Sequence, residues 1–189
     1  MEPQKSERAR YSADDLLRMT PDEEDHHYEL DEGELILVAP TGPLHGSIES
    51  RMDRRLGTFV ESNKLGEVLC GDVGFKLGDY TVRAPDVAFL SRDRLQRTPF
   101  PKDGFYDGAP DLAVEVLSPG DSAGEVLRKA GRFIEAGTRL VWIVDPRRRT
   151  VTICRSNGPF AIVGPEGNLD GEDVLPGFSC LVSELFPEE

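Results

Sequence analysis

Three consecutive segments near the middle of the chain predict a β-α-β unit, and this unit limits the possible folds more than any other feature. Residues 111–117 (DLAVEVL) and 140–145 (LVWIVD) are short apolar runs of the length expected for strands. Residues 124–136 between them repeat apolar side chains at helical spacing, and Gly137 follows as a helix stop. Two strands joined in this way run parallel with a right-handed crossover, so the sequence predicts a sheet covered by helices.

The segments before this unit add helices and a hairpin. Residues 12–20 predict a short helix capped by Ser12, and residues 45–63 predict a longer helix from apolar side chains three and four positions apart. The runs YEL and ELILVA read as strands that a tight turn at residues 31–33 joins into a hairpin. Because hairpin strands are antiparallel and the β-α-β strands are parallel, we expect a mixed sheet.

Residues 66–77 and 81–90 read as two further strands of a meander, since both are rich in Val, Leu and Phe. The polar segment 91–110 contains Pro99, Pro101 and Gly104 and predicts a long connection, which in compact domains is often functional. Short strands and a terminal turn or helix are expected after residue 150.

Length and composition predict one compact domain, residues 1–189, with 38% apolar residues to form its core. No run approaches 18 apolar residues and the first residues are polar, so we expect a cytoplasmic protein without a membrane segment. Cys70, Cys154 and Cys180 are widely spaced and include no CxxC pair, which favours reduced thiols over disulfides or a thiolate zinc site.

The charge balance limits the kinds of partner. Twenty-two Lys and Arg face 35 Asp and Glu, for a net charge of −13, which disfavours tight non-specific binding to a polyanion. A nucleic-acid partner would therefore need a local basic surface, or a homodimer that presents one basic cleft. The candidate basic sets are Arg51, Arg54 and Arg55; Arg92, Arg94, Arg97 and Lys102; and Arg147, Arg148 and Arg149. Each set also fits an ordinary solvated surface.

Two acids interrupt apolar strand runs. Side chains alternate along a strand, so Glu115 points away from the side that carries Val114 and Val116. A buried carboxylate must be protonated, paired or bound to a metal ion. Asp86, directly after Pro85, has a similar setting, and two such acids on neighbouring strands would form a magnesium-type site. A single strand acid is more often an edge residue or an ion-pair partner than a metal ligand.

The motifs RAPDVAFL and PDLAVEVLSPGDSAGEVLRKAGRFIEAGTRLVWIVDP, with the upstream YELDEGELILVAPTGPLHG, resemble the Uma-two family of restriction-endonuclease-like proteins within the PD-(D/E)XK nuclease superfamily. The resemblance spans roughly residues 28–155. It implies an α/β (α+β mixed) fold, a restriction-endonuclease-like mixed sheet flanked by helices with an N-terminal hairpin. Residues 1–11, outside this core, are expected to be flexible.

The resemblance also assigns site residues. It makes Asp86 the acid of the PD element and Glu115 the second acid. The superfamily usually places a lysine two positions later, where this chain has Leu117, and the family resembled moves it to the next helix, where Lys129 matches. Lys129 flanks the apolar stripe of that helix, although an exposed pair with Glu125 at i, i+4 remains an alternative.

Further candidates follow from the same resemblance. Glu29 is a candidate additional ligand, and His45 a residue that faces the phosphate or a site water, with a hydrogen-bonded or exposed imidazole as its alternative. The Val116 carbonyl is a candidate third ligand beside Asp86 and Glu115, and the implied cofactor is Mg²⁺ or Mn²⁺.

The implied activity is metal-dependent hydrolysis of phosphodiester bonds in nucleic acid, with DNA as the expected substrate. Departures at Glu125, Phe133 and Leu140–Val141, where the family commonly has Asp, Tyr and Glu-Tyr, affect expected substrate contacts more than the metal site. A catalytically silent binding or scaffold protein and a small-phosphoester hydrolase are the rival functions. The sequence contains neither GxxxxGK[ST] nor GxSxG, so nucleoside-triphosphate and serine-hydrolase chemistry have no support.

Overall fold

The computed structural model describes residues 10–19 and 27–188. The helices in this part of the chain are α1 (Ala13–Arg18), α2 (Pro43–Asn63), α3 (Arg92–Arg97) and α4 (Ala123–Glu135), followed by a 3₁₀ helix (Val182–Leu185). The strands are β1 (His27–Asp31), β2 (Glu34–Val38), β3 (Gly66–Cys70), β4 (Phe75–Gly78), β5 (Thr81–Arg83), β6 (Val87–Ser91), β7 (Tyr106–Asp107), β8 (Leu112–Val116), β9 (Leu140–Asp145), β10 (Thr150–Arg155), β11 (Ala161–Val163), β12 (Asn168–Asp170) and β13 (Ser179–Leu181). The expected flexibility of residues 1–11 falls almost wholly outside the described residues.

A six-stranded sheet in the order β11-β10-β9-β8-β6-β3 forms the centre of the protein. Strands β8 and β9 pair in parallel and α4 connects them, which confirms the predicted β-α-β unit. The neighbouring pairs β6/β8 and β9/β10 are antiparallel, so the sheet is mixed, as predicted.

Helices cover both faces of this sheet. Val114 and Trp142 pack on one face against α2, whose buried side chains include Met52. Ala113 packs on the opposite face against α4, whose buried residues include Phe133. The alternation predicted for residues 111–117 therefore holds, and it turns the side chain of position 115 toward α4.

A second sheet, β2-β1-β5-β4-β7, contains the predicted hairpin. Asp31 pairs with Glu34 at the end of β1 and β2, and the two residues between them, Glu32 and Gly33, have φ of 51° and 89°. A two-residue turn with positive φ at both central positions matches the right-handed twist of the strands, and Gly33 adopts it without strain. That the hairpin belongs to a separate sheet was not predicted.

Two segments predicted as single strands each divide between the two sheets. Residues 66–77 form β3 and β4, and residues 81–90 form β5 and β6. Pro85 has no N–H to donate to a ladder, so the second run breaks beside it. The break matters for the site because Asp86 lies at the junction between the sheets.

The prediction of a long irregular connection at residues 91–110 was wrong in part, because this segment contains α3 and β7. The Ser91 side chain accepts a hydrogen bond from the backbone N–H of Arg94 and caps α3. A helix of six residues shows too little periodicity to be recognised among so many charges.

All three cysteines are free thiols, and Cys70 alone among them is exposed. None of the helices described is both long and apolar enough to cross a membrane.

Candidate functional site

The ammonium group of Lys129 joins three parts of the chain. Its Nζ lies 2.9 Å from Glu115 Oε2 on β8 and 2.9 Å from Glu29 Oε1 on β1. It also donates a hydrogen bond of 2.9 Å to the backbone carbonyl of Ala84, two residues before Asp86. The lysine that the resemblance places on the helix therefore reaches the second acid and the segment that leads to the first.

The start of α4 explains why Lys129 points this way. Ser122 and Glu125 form a capping box, in which the Ser122 hydroxyl donates to Glu125 Oε2 at 2.6 Å. Glu125 is thus engaged in capping, and the salt bridges of Lys129 run to Glu29 and Glu115 instead of to the i, i+4 neighbour. Ala130 and Phe133 bury the adjacent stripe of the helix and fix its rotation over the sheet.

Glu115 is 7% exposed, and its two carboxylate oxygens have different surroundings. Oε2 contacts Lys129, whereas Oε1 is buried and has no hydrogen-bond partner among the described residues. Burial raises the pKa of Glu115 above its ordinary value; the charge of Lys129 opposes this, and the charges of Asp86 and Glu29 add to it. A buried carboxylate oxygen without a donor is available to a ligand.

Glu29 is held by a buried arginine that the sequence interpretation did not single out. Arg83, 4% exposed, donates to Glu29 Oε2 at 2.8 Å, and the backbone N–H of Ala84 donates to Oε1 at 3.0 Å. Arg83 also lies 3.6 Å from Asp31, which accepts a 2.9 Å hydrogen bond from Arg132 on α4. Strand alternation places positions 29 and 31 on one face, and this was the signal available in the sequence.

Asp86 lies where β5 ends and β6 begins, and its side chain is 21% exposed. The backbone N–H of Val116 donates to Asp86 Oδ2 at 2.6 Å, so Asp86 contacts the residue that follows Glu115. The same oxygen lies 3.3 Å from His45 Nε2. Asp86 is thus oriented from two sides.

His45 and Glu49 occupy successive turns at the start of α2. His45 is 6% exposed, and its Nδ1 lies 4.0 Å from Glu49 Oε2 without forming a hydrogen bond within the described structure. The ligand atoms of His45, Glu49 and Asp86 all lie within 4.8 Å of one another. The sequence interpretation missed Glu49, although its spacing of four from His45 on a predicted helix was visible.

Charges within this group shift its pKa values. Burial acts to lower the pKa of His45, but the hydrogen bond and charge of Asp86, together with Glu49, raise it above the ordinary value. Burial raises the pKa of Glu49, and the charge of Asp86 adds to the effect. The two acids therefore favour the charged form of the imidazole.

The predicted residues come together in two groups that meet at the sheet junction. Glu29, Glu115 and Lys129 form one group on the α4 side, while His45 and Asp86 belong to the other, at the start of α2. The contact between Val116 and Asp86 links them. The close ligand set within 4.8 Å contains Asp86 with His45 and Glu49, and not with Glu115.

The three basic sets differ in what their side chains contact. Arg94 donates to the buried Asp111, and Arg148 pairs with Asp145 at 3.1 Å. Arg51, Arg54 and Arg55 of α2 instead line one open pocket of ≈ 530 Å³. Arg55 is paired there with Glu184 at 2.8 Å. The α2 set therefore lines a single open pocket, and each of its arginines is also hydrogen-bonded or ion-paired, Arg51 and Arg55 to Glu184 and Arg54 to Ser50.

Comparison with known proteins agrees with this architecture. The model of the Uma2 family, described as "Putative restriction endonuclease", matches residues 13–183. A crystal structure described as a putative nuclease belonging to DUF820 from Anabaena variabilis ATCC 29413 superposes with a TM-score of 0.78 and 21% identity, covering 93% of this chain and 97% of that one. At this identity the likeness is one of fold. No curated protein matches the chain.

Proposed function

Because this chain belongs to the Uma2 family, we propose that it is a metal-dependent endonuclease that hydrolyses phosphodiester bonds of nucleic acid, with DNA as the substrate. Its reactive groups in this proposal are Asp86, Glu115 and Lys129, with Glu29 and His45 beside them. The family description names neither a metal ion nor a substrate, so both are part of the proposal.

The main support for the proposal is the position of Lys129. A nuclease of the PD-(D/E)XK type needs two acids and an ammonium group at one place, and this chain lacks the lysine at position 117. Lys129 instead lies 2.9 Å from Glu115 Oε2 and 2.9 Å from the carbonyl of Ala84, close to the PD element. In the proposal, this ammonium group from the following helix takes the role that the strand lysine has in the superfamily.

The acids fit a divalent ion. Asp86 is partly exposed, and Glu115 has a buried oxygen, Oε1, with no hydrogen-bond partner among the described residues. In the proposal these two carboxylates hold Mg²⁺ or Mn²⁺, with the Val116 carbonyl as a third ligand. Such an ion, when bound, would lower the pKa of a water that it binds. It would also supply positive charge near the scissile phosphate.

The chain's own groups have separate tasks. Two carboxylates and the Ala84 carbonyl hold the Lys129 ammonium in place, so it can orient the attacking water or stabilise negative charge on the phosphate without reorganising. Glu29 acts in this arrangement mainly by positioning that ammonium group. His45, hydrogen-bonded to Asp86, is placed to hold or move a proton at its Nε2.

Substrate binding requires a basic surface on a chain with a net charge of −13. We assign backbone-phosphate contacts first to Arg51 and Arg54 of α2, since these side chains line an open pocket. A homodimer would combine two such surfaces into one basic cleft. Size-exclusion chromatography with light scattering tests this part of the proposal independently of activity.

Nicking of supercoiled DNA tests the function. We expect wild-type protein with Mg²⁺ or Mn²⁺ to nick DNA, and Asp86→Asn, Glu115→Gln and Lys129→Met to lower the rate by about 100-fold or more. Glu61→Gln, an exposed change on α2, is the matched control and should retain wild-type activity. If wild-type protein nicks neither DNA nor RNA faster than Asp86→Asn with either ion, the chain is a binding protein on a nuclease fold.

A further inference from the structure

The acids of the site divide into two groups whose negative charge is balanced differently. Glu29 contacts both Lys129 and Arg83, and Glu115 contacts Lys129. In contrast, the ion pairs of Asp86 and Glu49 within the described structure run to His45 alone. The α2 side of the site therefore has an excess of negative charge that a bound cation would neutralise.

The α2 group is also arranged before any ligand arrives. The backbone N–H of Val116 donates to the carboxylate of Asp86 at 2.6 Å, and the N–H of Gly71 donates to the backbone carbonyl of the same residue at 3.3 Å. His45 is buried in the first turn of α2, where its ring has little freedom to turn. Ligand atoms held in this way lose little conformational entropy on binding.

An unpartnered nitrogen distinguishes this group from a chance cluster of acids. His45 Nδ1 is buried and has no hydrogen-bond partner in the described part of the chain, and it faces Glu49 across 4.0 Å. Leaving a buried polar atom unpaired is unfavourable, so a ligand that pairs with it is favoured. One ligand atom from each of His45, Glu49 and Asp86 lies within 4.8 Å of the others, close enough to share one ion.

We propose that His45, Glu49 and Asp86 form a binding site for a divalent first-row transition ion, represented by Mn²⁺, which this site prefers to Mg²⁺. The preference follows from the donor set, because Mg²⁺ takes oxygen ligands and keeps its waters, whereas transition ions accept an imidazole nitrogen beside carboxylates. The proposal deepens the nuclease function proposed above and rests on it for the role of the ion. Asp86 is common to both ligand sets, and Glu49 is the residue that this site adds.

Binding of Mn²⁺ to the full chain, without nucleic acid, tests the site. Electron paramagnetic resonance measures free Mn²⁺ during a titration and requires no activity. We expect His45→Asn and Glu49→Gln each to weaken Mn²⁺ binding by at least about 10-fold, since each removes a ligand. Glu61→Gln on the same helix should bind as the wild type does, and a tenfold excess of Mg²⁺ should displace little Mn²⁺ from wild-type protein.

Thermal unfolding followed by circular dichroism checks that each variant is folded. His45 is buried, so its replacement is the change that most endangers the fold; Glu49, with a side chain 24% exposed, provides a second variant that leaves the core intact. Unchanged Mn²⁺ affinity in folded Glu49→Gln would overturn the proposal, as would displacement of Mn²⁺ by equimolar Mg²⁺.

The outcomes separate this site from the nuclease function. Mn²⁺ binding that depends on His45 and Glu49, without any nicking, would support the site and reject the function. Nicking together with Mn²⁺ binding that depends on Glu115 but not on Glu49 would support the function and reject the site.

Discussion

Lys129 lies equally close to two carboxylates that belong to different sheets: its Nζ is 2.9 Å from Glu115 Oε2 on β8 and 2.9 Å from Glu29 Oε1 on β1. One helical side chain thus ties the hairpin sheet to the six-stranded sheet. These two carboxylates raise the pKa of Lys129 above its ordinary value despite its burial, so the ammonium group stays charged. The lysine is therefore both a reactive-group candidate and a structural link.

Lys129→Met should destabilise the protein by about 3 kcal/mol, because it leaves two buried acids without their shared cation. Arg128→Met is the matched control, since Arg128 is the exposed neighbour on the same helix and should change the free energy of unfolding by less than about 0.5 kcal/mol. Urea denaturation measures both. Equal stabilities for the two variants would mean that the ammonium group contributes nothing to joining the sheets.

The buried pair of Glu29 and Arg83 should show strong energetic coupling. Their atoms approach to 2.8 Å with side chains 8% and 5% exposed, whereas Arg55 and Glu184, also 2.8 Å apart, are 35% and 42% exposed. Double-mutant cycles with Glu29→Gln and Arg83→Met should give a coupling energy of about 2 kcal/mol, and cycles on the exposed pair less than about 1 kcal/mol. A coupling no larger for the buried pair than for the exposed one would contradict this reading.

The sequence predicted the elements whose periodicity is strong and local. Strands β8 and β9, helix α4 and the hairpin followed from apolar spacing, capping residues and turn residues. The assignment of strands to two sheets could not be predicted, because an apolar run does not specify which strand it pairs with. Pro85 marked the break between β5 and β6, but the separation of the two sheets there depends on tertiary packing.

The same limit applies to the site. The resemblance identified Asp86, Glu115 and Lys129 by their order along the chain. Glu49 and Arg83 were missed because their roles depend on contacts with residues 37 and 54 positions away, which are visible only once the sheets are assembled. Local spacing offered a hint for Glu49, whereas for the Arg83 pair it showed only that positions 29 and 31 share a strand face.

Low pH should reduce the stability of the fold, partly through protonation of Asp111. Burial acts to raise the pKa of this carboxyl, but hydrogen bonds from Arg94 and Ser91 outweigh it and hold the pKa below its ordinary value of 3.8. A depressed carboxyl pKa stabilises the fold above the unfolded pKa, and the stabilisation is lost as pH falls through the folded pKa. Asp111 therefore contributes fully at neutral pH and progressively less below about pH 4.

Asp111→Asn isolates this contribution. At pH 7 the variant should be less stable than the wild type by about 2 kcal/mol, the usual range for hydrogen bonds to a charged group. The difference should shrink as the pH is lowered from 4 toward 2, because the wild-type carboxyl is then protonated and, like the Asn side chain, uncharged. Urea denaturation at several pH values measures it, and a difference that stays constant down to pH 2 would rule out the assigned ion pair as its source.

The last prediction concerns nucleic-acid binding and follows from the different contacts of Arg54 and Arg148. Arg54 lines the open pocket beside α2 and donates to the uncharged hydroxyl of Ser50, a contact that does not neutralise its positive charge, whereas Arg148 is paired with Asp145 at 3.1 Å. If α2 contacts the nucleic-acid backbone, Arg54→Gln should weaken binding and lower the slope of log affinity against log salt by about 1, while Arg148→Gln should change it little. Fluorescence anisotropy with labelled duplex DNA at several salt concentrations measures both slopes. A larger loss for Arg148→Gln would move the binding surface from α2 to the turn between β9 and β10.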